Sequence, residues 1–232
     1  MTLSPETPHK PLPVDLRLYA ILDPERAREQ PLPELAAAAI AGGATLLQYR
    51  DKHADTRKYI DTTRAILAAI SGKGVPLLIN DRVDVAMAAG ADGVHVGQDD
   101  MSPADARRLL GPRAIIGLTL NNTREALAAV QEPIDYGCIG GVFATSSKDN
   151  PKPPIGLDGL ADIIANARIA TPALPLGAIA GIDENNASTI IAMGADGIAV
   201  ISAILMADDV SAAAHRLRVI IDASLAARGA GS

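Results

Sequence analysis

Short apolar runs recur along the chain, and each gives way to a longer segment with apolar residues at helical spacing. The runs are residues 16–22, 45–50, 76–80, 93–96, 114–118, 136–143, 174–179 and 197–201. They are rich in Val, Ile and Leu with little polar alternation, the pattern of strands buried on both faces. Residues 56–70 and 102–110 carry the helical pattern between them. In the second of these, Ser102 is placed to cap the N-terminus and Pro103 to take the first helical position. Eight strand-then-helix units with ordinary connections predict one α/β domain, a parallel (β/α)8 TIM barrel rather than an open sheet.

An internal echo supports the barrel. MAAGADGVHVG begins at Met87 and IAMGADGIAVIS at Ile191. The shared AxGADGxxV element falls just before predicted strands four and eight, half a barrel apart; coincidence between two common helix-to-strand turns is the alternative. Asp92 and Asp196 precede their strands, at the end of the barrel away from the chemistry, and read as turn residues. Residues 15–226 form the predicted domain. Residues 1–14, with four prolines, and the Gly/Ala/Ser-rich 227–232 read as flexible ends.

The 232 residues are 48% hydrophobic and 21% charged, enough apolar material for one large core. Aromatics are only 2%, so the core must rest on Ala, Ile, Leu and Val, and stacking of nucleic-acid bases is not expected. The net charge of -6 argues in the same direction, against a nucleic-acid partner. Cys138, the one cysteine, lies in an apolar run and reads as a small buried hydrophobe, compatible with a reducing cytoplasm. No secretory signal is legible, and the uncharged stretch 169–182 is too short for a membrane span and contains two prolines. A cytoplasmic protein without a membrane partner is expected. The oligomeric state is left open, a homo-oligomer included.

In a barrel of this kind the chemistry sits at the C-terminal ends of the strands. Strand two ends in Gln48-Tyr49-Arg50-Asp51-Lys52, where Gln48, Arg50 and Lys52 share one face of an extended chain. An amide, a guanidinium and an ammonium together suit a polyanion; a solvated strand end is the plainer alternative. Strand three ends in Asn80-Asp81 and strand four in Gly97-Gln98-Asp99-Asp100. Asp81 and one of the later acids can meet across the mouth and hold Mg²⁺, unless Asp81 simply caps the next helix. After strand six, Thr145-Ser146-Ser147-Lys148 can bind a departing diphosphate, although such loops are common on surfaces. Gly181 after strand seven and Ser202 after strand eight lie where barrels bind a phosphate through backbone N–H groups; an ordinary tight turn is the alternative. His95, in strand four, reads as a core histidine satisfied by hydrogen bonds. No Ser-His-Asp set, Cys-His pair or zinc spacing stands out.

Six segments together resemble the thiamine-phosphate synthase family: QYRDK at 48–52, IND at 79–81, DGVHVGQDD at 92–100, TSSK at 145–148, AIAGI at 178–182 and GADGIAVISAI at 194–204. The resemblance runs from about residue 16 to 226. It implies an alkyl transferase that joins a pyrimidine diphosphate to a thiazole phosphate and releases pyrophosphate. It assigns Gln48, Arg50, Lys52, Asn80 and Thr119 to the pyrimidine diphosphate, Asp81 and Asp100 to Mg²⁺, and Lys148 to pyrophosphate. Thr145 and Ser147 are assigned to the thiazole, and Gly181, Ile201 and Ser202 to its phosphate. Arg50, Lys52 and Lys148 become the catalytic cations. The chain departs from the family pattern at Thr119 (Ser in the family), Gly140-Gly141 (Gly-Pro), Ser147 (Thr) and Ala180 (Gly). A related thiazole tautomerase looks to a histidine after strand five, where residues 117–122 hold none. A binding protein that has lost turnover is the further alternative.

Overall fold

The computed structural model describes residues 14–145 and 153–230. Among them, eight parallel strands close in sequence order into a barrel: β1 (Leu18–Leu22), β2 (Leu46–Tyr49), β3 (Leu77–Asn80), β4 (Gly93–Val96), β5 (Ile115–Leu120), β6 (Tyr136–Ile139), β7 (Leu176–Ile179) and β8 (Gly197–Val200). β1 pairs with β8, so the sheet has no free edge. Helices α1 (Leu32–Ala41), α2 (Thr56–Ala69), α3 (Val83–Ala89), α4 (Pro103–Leu110), α5 (Thr123–Ala128), α6 (Gly156–Ala170), α7 (Ala187–Ala192), α8 (Ser202–Leu205) and α9 (Val210–Ala230) follow the strands. α4 starts as its sequence predicts, with Pro103 in the first turn and the Ser102 side chain accepting from the Asp105 N–H.

Several strand bounds move by one or two residues from the sequence reading, and two strand ends and one terminus differ in ways that bear on the site or the domain. β5 continues to Leu120, which puts Thr119 within the strand rather than after it. β6 stops at Ile139 because Gly141 adopts φ +70° and turns the chain, although the Val142 and Phe143 N–H groups still donate to the Ile179 and Ala180 carbonyls. α9 runs to Ala230, past residue 226. Arg228 pins that last turn by donating to the carbonyls of Ile191 and Ala195 and to the Asp196 carboxylate. The predicted N-terminal tail, apart from Val14, lies outside the described residues, as do 231–232.

The bottom of the barrel explains the echo. Asp92 accepts the N–H of Leu77 at 2.8 Å, and Asp196 accepts that of Leu176 at 2.8 Å. Each acid therefore tethers the first residue of the preceding strand. Asp135 likewise accepts from Ile116, the second residue of β5, at 2.7 Å, and Thr45 Oγ1 from Leu18, the first of β1, at 3.1 Å. The four even strands thus carry one repeated device, in which Asp135 and Asp196 are further held by Arg107 and Arg168 from the helices. Removing Asp135 would orphan the Ile116 N–H and leave the Arg107 guanidinium with backbone carbonyls but no counter-charge. Asp135→Ala is expected to lose about 2 kcal/mol of stability, read as a fall of roughly 4–8 °C in thermal midpoint.

Inside the barrel, two of the four tyrosines fill the lumen. Tyr19 and Tyr136 are buried and meet edge to face with ring centroids 5.9 Å apart. Gly117 makes room for Tyr136, since a Cβ there would lie inside its ring. Tyr49 and Tyr59 are also buried and stack edge to face at 4.7 Å. Aliphatic residues supply nearly all the remaining core.

Candidate active site

The strand ends deliver one cavity at the C-terminal mouth of the barrel. Of the residues read from sequence, it is lined by Gln48, Arg50 and Asn80 on one side, Thr119 across from them on β5, and Thr145, Gly181, Ile201 and Ser202 on the other. Lys52, Asp81 and Asp100 stand outside the lining, the first two joined by an ion pair. Ser147 and Lys148 lie outside the described residues.

Arg50 owes its position to a residue that sequence reading missed. Asp23, directly after β1, is 1% exposed. Its carboxylate pairs with the Arg50 guanidinium and also accepts from the Glu25 N–H at 3.0 Å, capping a single 3-10 turn. An acid at the C-terminal end of a barrel strand was the only available signal. Asn121 was missed as well. It lines the cavity, and Glu125 takes both its backbone N–H (2.7 Å) and its amide N–H (2.9 Å). Its amide oxygen therefore turns toward Gly140, where an added Cβ would come within 3.0 Å of it.

Asp81 is not the helix cap that the plainer alternative foresaw: the residue before α3 is Arg82 and offers no side-chain cap. Asp81 instead takes a left-handed φ of +61° and donates its N–H to the His95 carbonyl at 2.9 Å. Burial raises the affinity of its carboxyl for a proton, but hydrogen bonds from Lys52 and Asp100 and the Lys52 charge outweigh this and hold it below the usual carboxylate range. Asp100 shifts the other way. Burial pushes it up, the Gly97 N–H at 2.8 Å opposes this, and neighbouring Asp81 adds to the rise. Two acids that disturb one another in this way form a hard-oxygen pair that a divalent cation would relieve. Among the described residues no group of three or more His, Cys, Asp or Glu is placed to hold a metal. Mg²⁺ needs no such cage, since one or two carboxylates with water and phosphate oxygens suffice, so the pair fits it.

The opposite wall is built from backbone. Gly181 takes φ +65°, and a Cβ there would meet the Ala144 carbonyl at 2.5 Å and Phe143 Cβ at 2.7 Å. Asn186 holds the turn by donating to the Gly181 carbonyl at 2.9 Å. Ser202 opens α8 immediately after Ile201. Ala180, one of the departures from the family pattern, sits at φ +94°, which favours glycine. Ala180→Gly should relieve strain of about 1–3 kcal/mol while losing about 0.4–1 kcal/mol through the unfolded chain. A rise of roughly 2–4 °C in thermal midpoint is expected. Gly141 is a second departure with a visible reason, because its φ of +70° is closed to proline.

His95 is satisfied, as expected: Nδ1 bonds Tyr136 Oη at 2.8 Å and Nε2 bonds Thr119 Oγ1 at 2.9 Å. Tyr136 Oη bonds Tyr19 Oη at 2.9 Å, and the Gln48 amide N–H donates to Tyr19. Cys138 is buried on β6 and lines the same cavity.

A closed (β/α)8 barrel whose mouth sets cations and paired acids against a glycine-rich backbone cradle is the architecture of an enzyme that handles phosphorylated small molecules. The comparisons narrow this class. The family described as "Thiamine monophosphate synthase" matches residues 18–204. The chain is 55% identical over 215 residues to a thiamine-phosphate synthase of Agrobacterium fabrum, covering 93% of this chain and 98% of that one. It is 48% identical over 208 residues to the enzyme of that name from Chloroflexus aurantiacus, covering 90% and 94%. A solved thiamine phosphate pyrophosphorylase from Pyrococcus furiosus superposes with a TM-score of 0.79 at 36% identity, covering 91% and 98%. A Mycobacterium tuberculosis tryptophan synthase, at 14% identity and a TM-score of 0.66, shares the fold alone. The chain belongs to the thiamine monophosphate synthase family and is a transferase.

Among the described residues no helix is long and apolar enough to cross a membrane.

Proposed function

We propose that the chain condenses 4-amino-2-methyl-5-(diphosphooxymethyl)pyrimidine with a thiazole phosphate, giving thiamine phosphate and pyrophosphate in the cytoplasm. The observation that carries this reading is the opposition, in one cavity, of the Gln48, Arg50 and Asn80 wall to the Gly181, Ile201 and Ser202 cradle. Two anionic substrates need two anion sites facing a shared centre, and this mouth offers them.

The pyrimidine C–O bond breaks first, pyrophosphate departs with the electron pair, and the thiazole nitrogen closes on the methylene carbon. Arg50 and Lys52 meet the charge that grows on the leaving group, a task that the resemblance assigns to Lys148 as well. Each stabilises charge that is larger in the transition state than in the bound substrate. Gly181 and Ser202 fix the thiazole phosphate through backbone N–H groups, and Thr145 contacts the ring, a role that the resemblance gives to Ser147 as well. The nucleophile is thus presented at a set distance. Mg²⁺, held by Asp81 and Asp100, would neutralise diphosphate charge. No strong general base is required, because the thiazole nitrogen attacks with its own lone pair. A tautomerase would look to a histidine in the loop after strand five, where residues 117–122 hold none.

The test follows thiamine phosphate and pyrophosphate together in a mixture of both substrates and Mg²⁺, for the parent, Asp81→Ala and Lys148→Ala. Stoichiometric release of both products by the parent, with losses of about 10²-fold or more in each variant, is expected. A parent that binds the thiazole phosphate and forms neither product would exclude the reading.

A further inference from the structure

The floor of the cavity, in the barrel lumen, holds a continuous chain of polar side chains from five strands: Gln48, Tyr19, Tyr136, His95 and Thr119. Gln48, Tyr19, His95 and Thr119 line the cavity and Tyr136 lies beneath them, with Gln48 and Thr119 at the two ends of the chain. The three inner members are buried in an otherwise aliphatic core, where an unsatisfied hydroxyl proton is costly. That cost fixes the direction of every bond. The Gln48 amide N–H donates to Tyr19 Oη, so the Tyr19 proton must go on to Tyr136. The Tyr136 proton then has His95 Nδ1 as its acceptor. His95 must carry its proton on Nε2 and donate to Thr119 Oγ1, which leaves the Thr119 proton for the cavity. Protonation of His95 on Nδ1 would reverse the Tyr136 bond and strand the Tyr19 proton between two donors. Burial also pushes both phenols well above their ordinary range, which keeps their protons in place as links.

We infer that Tyr19, Tyr136 and His95 are positioning residues that couple the two ends of this chain. Gln48 presents its carbonyl oxygen to the cavity as an acceptor, and Thr119 presents its hydroxyl as a donor. If one end were reversed, the other would have to reverse with it. The cavity therefore reads a ligand that donates at Gln48 and accepts at Thr119, the hydrogen-bonding character of an amino-substituted nitrogen heterocycle. None of the three inner residues needs to exchange a proton with substrate. Which reactant is read rests on the proposed function; the polarity of the chain does not.

Two measurements test the inference. The first is the imidazole ¹⁵N spectrum of the ligand-free protein at pH 8, with the His95 signals identified by their absence in His95→Gln. The Nε2–H pattern is expected, and an Nδ1–H pattern would overturn the proposed polarity. The second is steady-state kinetics of Tyr136→Phe, which keeps the ring over Gly117 and removes only the hydroxyl. KM for the pyrimidine diphosphate should rise about tenfold, the scale of one lost hydrogen bond, with KM for the thiazole phosphate within about twofold. Tyr19→Phe should act in the same way and serves if the first variant folds poorly. Equal changes in both KM values, or none, would overturn the coupling. A parent that forms no thiamine phosphate would defeat the proposed function and leave the tautomer spectrum to decide the relay on its own.

Discussion

Gly197→Ala is expected to yield no folded barrel, or one destabilised by more than about 4 kcal/mol, well outside the range of ordinary substitutions. Gly197 opens β8, and a Cβ there would fall inside the Leu16 carbonyl group and within 2.7 Å of the Arg17 N–H. Backbone, unlike the end of a flexible side chain, cannot step aside without opening the β8–β1 seam that closes the barrel. Gly93 stands at the same place half a barrel away, where a Cβ would collide with the Ile115 backbone of β5. These are the two equivalent glycines of the AxGADGxxV element. In each copy the Asp tethers the strand before, and the Gly admits the strand after. Gly229→Ala is the control: nothing lies within 4 Å of a Cβ at that position in α9, and a gain of about 0.5 kcal/mol is expected from helix propensity. Soluble yield and thermal melting of the two variants give the comparison. A well-folded Gly197→Ala protein would show that the seam is far softer than its geometry implies.

The eight strands were legible because a parallel barrel buries each of them on both faces. Continuous Val, Ile and Leu runs then stand out against amphipathic helices. Strand ends were less so. β6 ended early through the conformation of Gly141, which composition alone does not reveal, and β5 ran on through the polar Thr119. The C-terminal residues looked like a loose end from their Gly, Ala and Ser content, yet they are helical where described, since Arg228 finds carbonyls on a different part of the chain. At the site, motifs fixed which residue types gather at the mouth. Contacts between them depend on partners far apart in sequence. Asp23 sits in no motif and meets Arg50 only because β1 and β2 are neighbours in register. The inward direction of Tyr19 and Tyr136 could be counted from strand parity, but their hydroxyls meeting across the lumen could not.

Asp23→Ala is expected to lower kcat/KM for the pyrimidine diphosphate by about 10²-fold, although Asp23 does not line the cavity. The Arg50 and Asp23 side chains are 11% and 2% exposed, so their ion pair is shielded from the solvent and salt that weaken surface pairs. Without Asp23, Arg50 keeps its charge and loses its anchor. Stability should then fall by about 3 kcal/mol, because a largely buried guanidinium is left without its partner. In the proposed reaction catalysis should fall as well, because the cation assigned to the leaving group is free to swing away from it. Asp23→Asn separates the two duties of the carboxylate: its amide oxygen can still accept from the Glu25 N–H, while the charge that holds Arg50 is gone. It should therefore lose activity like Asp23→Ala and lose less stability. The deciding comparison is the double variant with Arg50→Ala. If Asp23 works only through Arg50, removing it from a protein that already lacks the arginine changes kcat/KM by less than about twofold. Additive losses would mean that Asp23 acts on the reaction by some other route, and the positioning role assigned to it would fail.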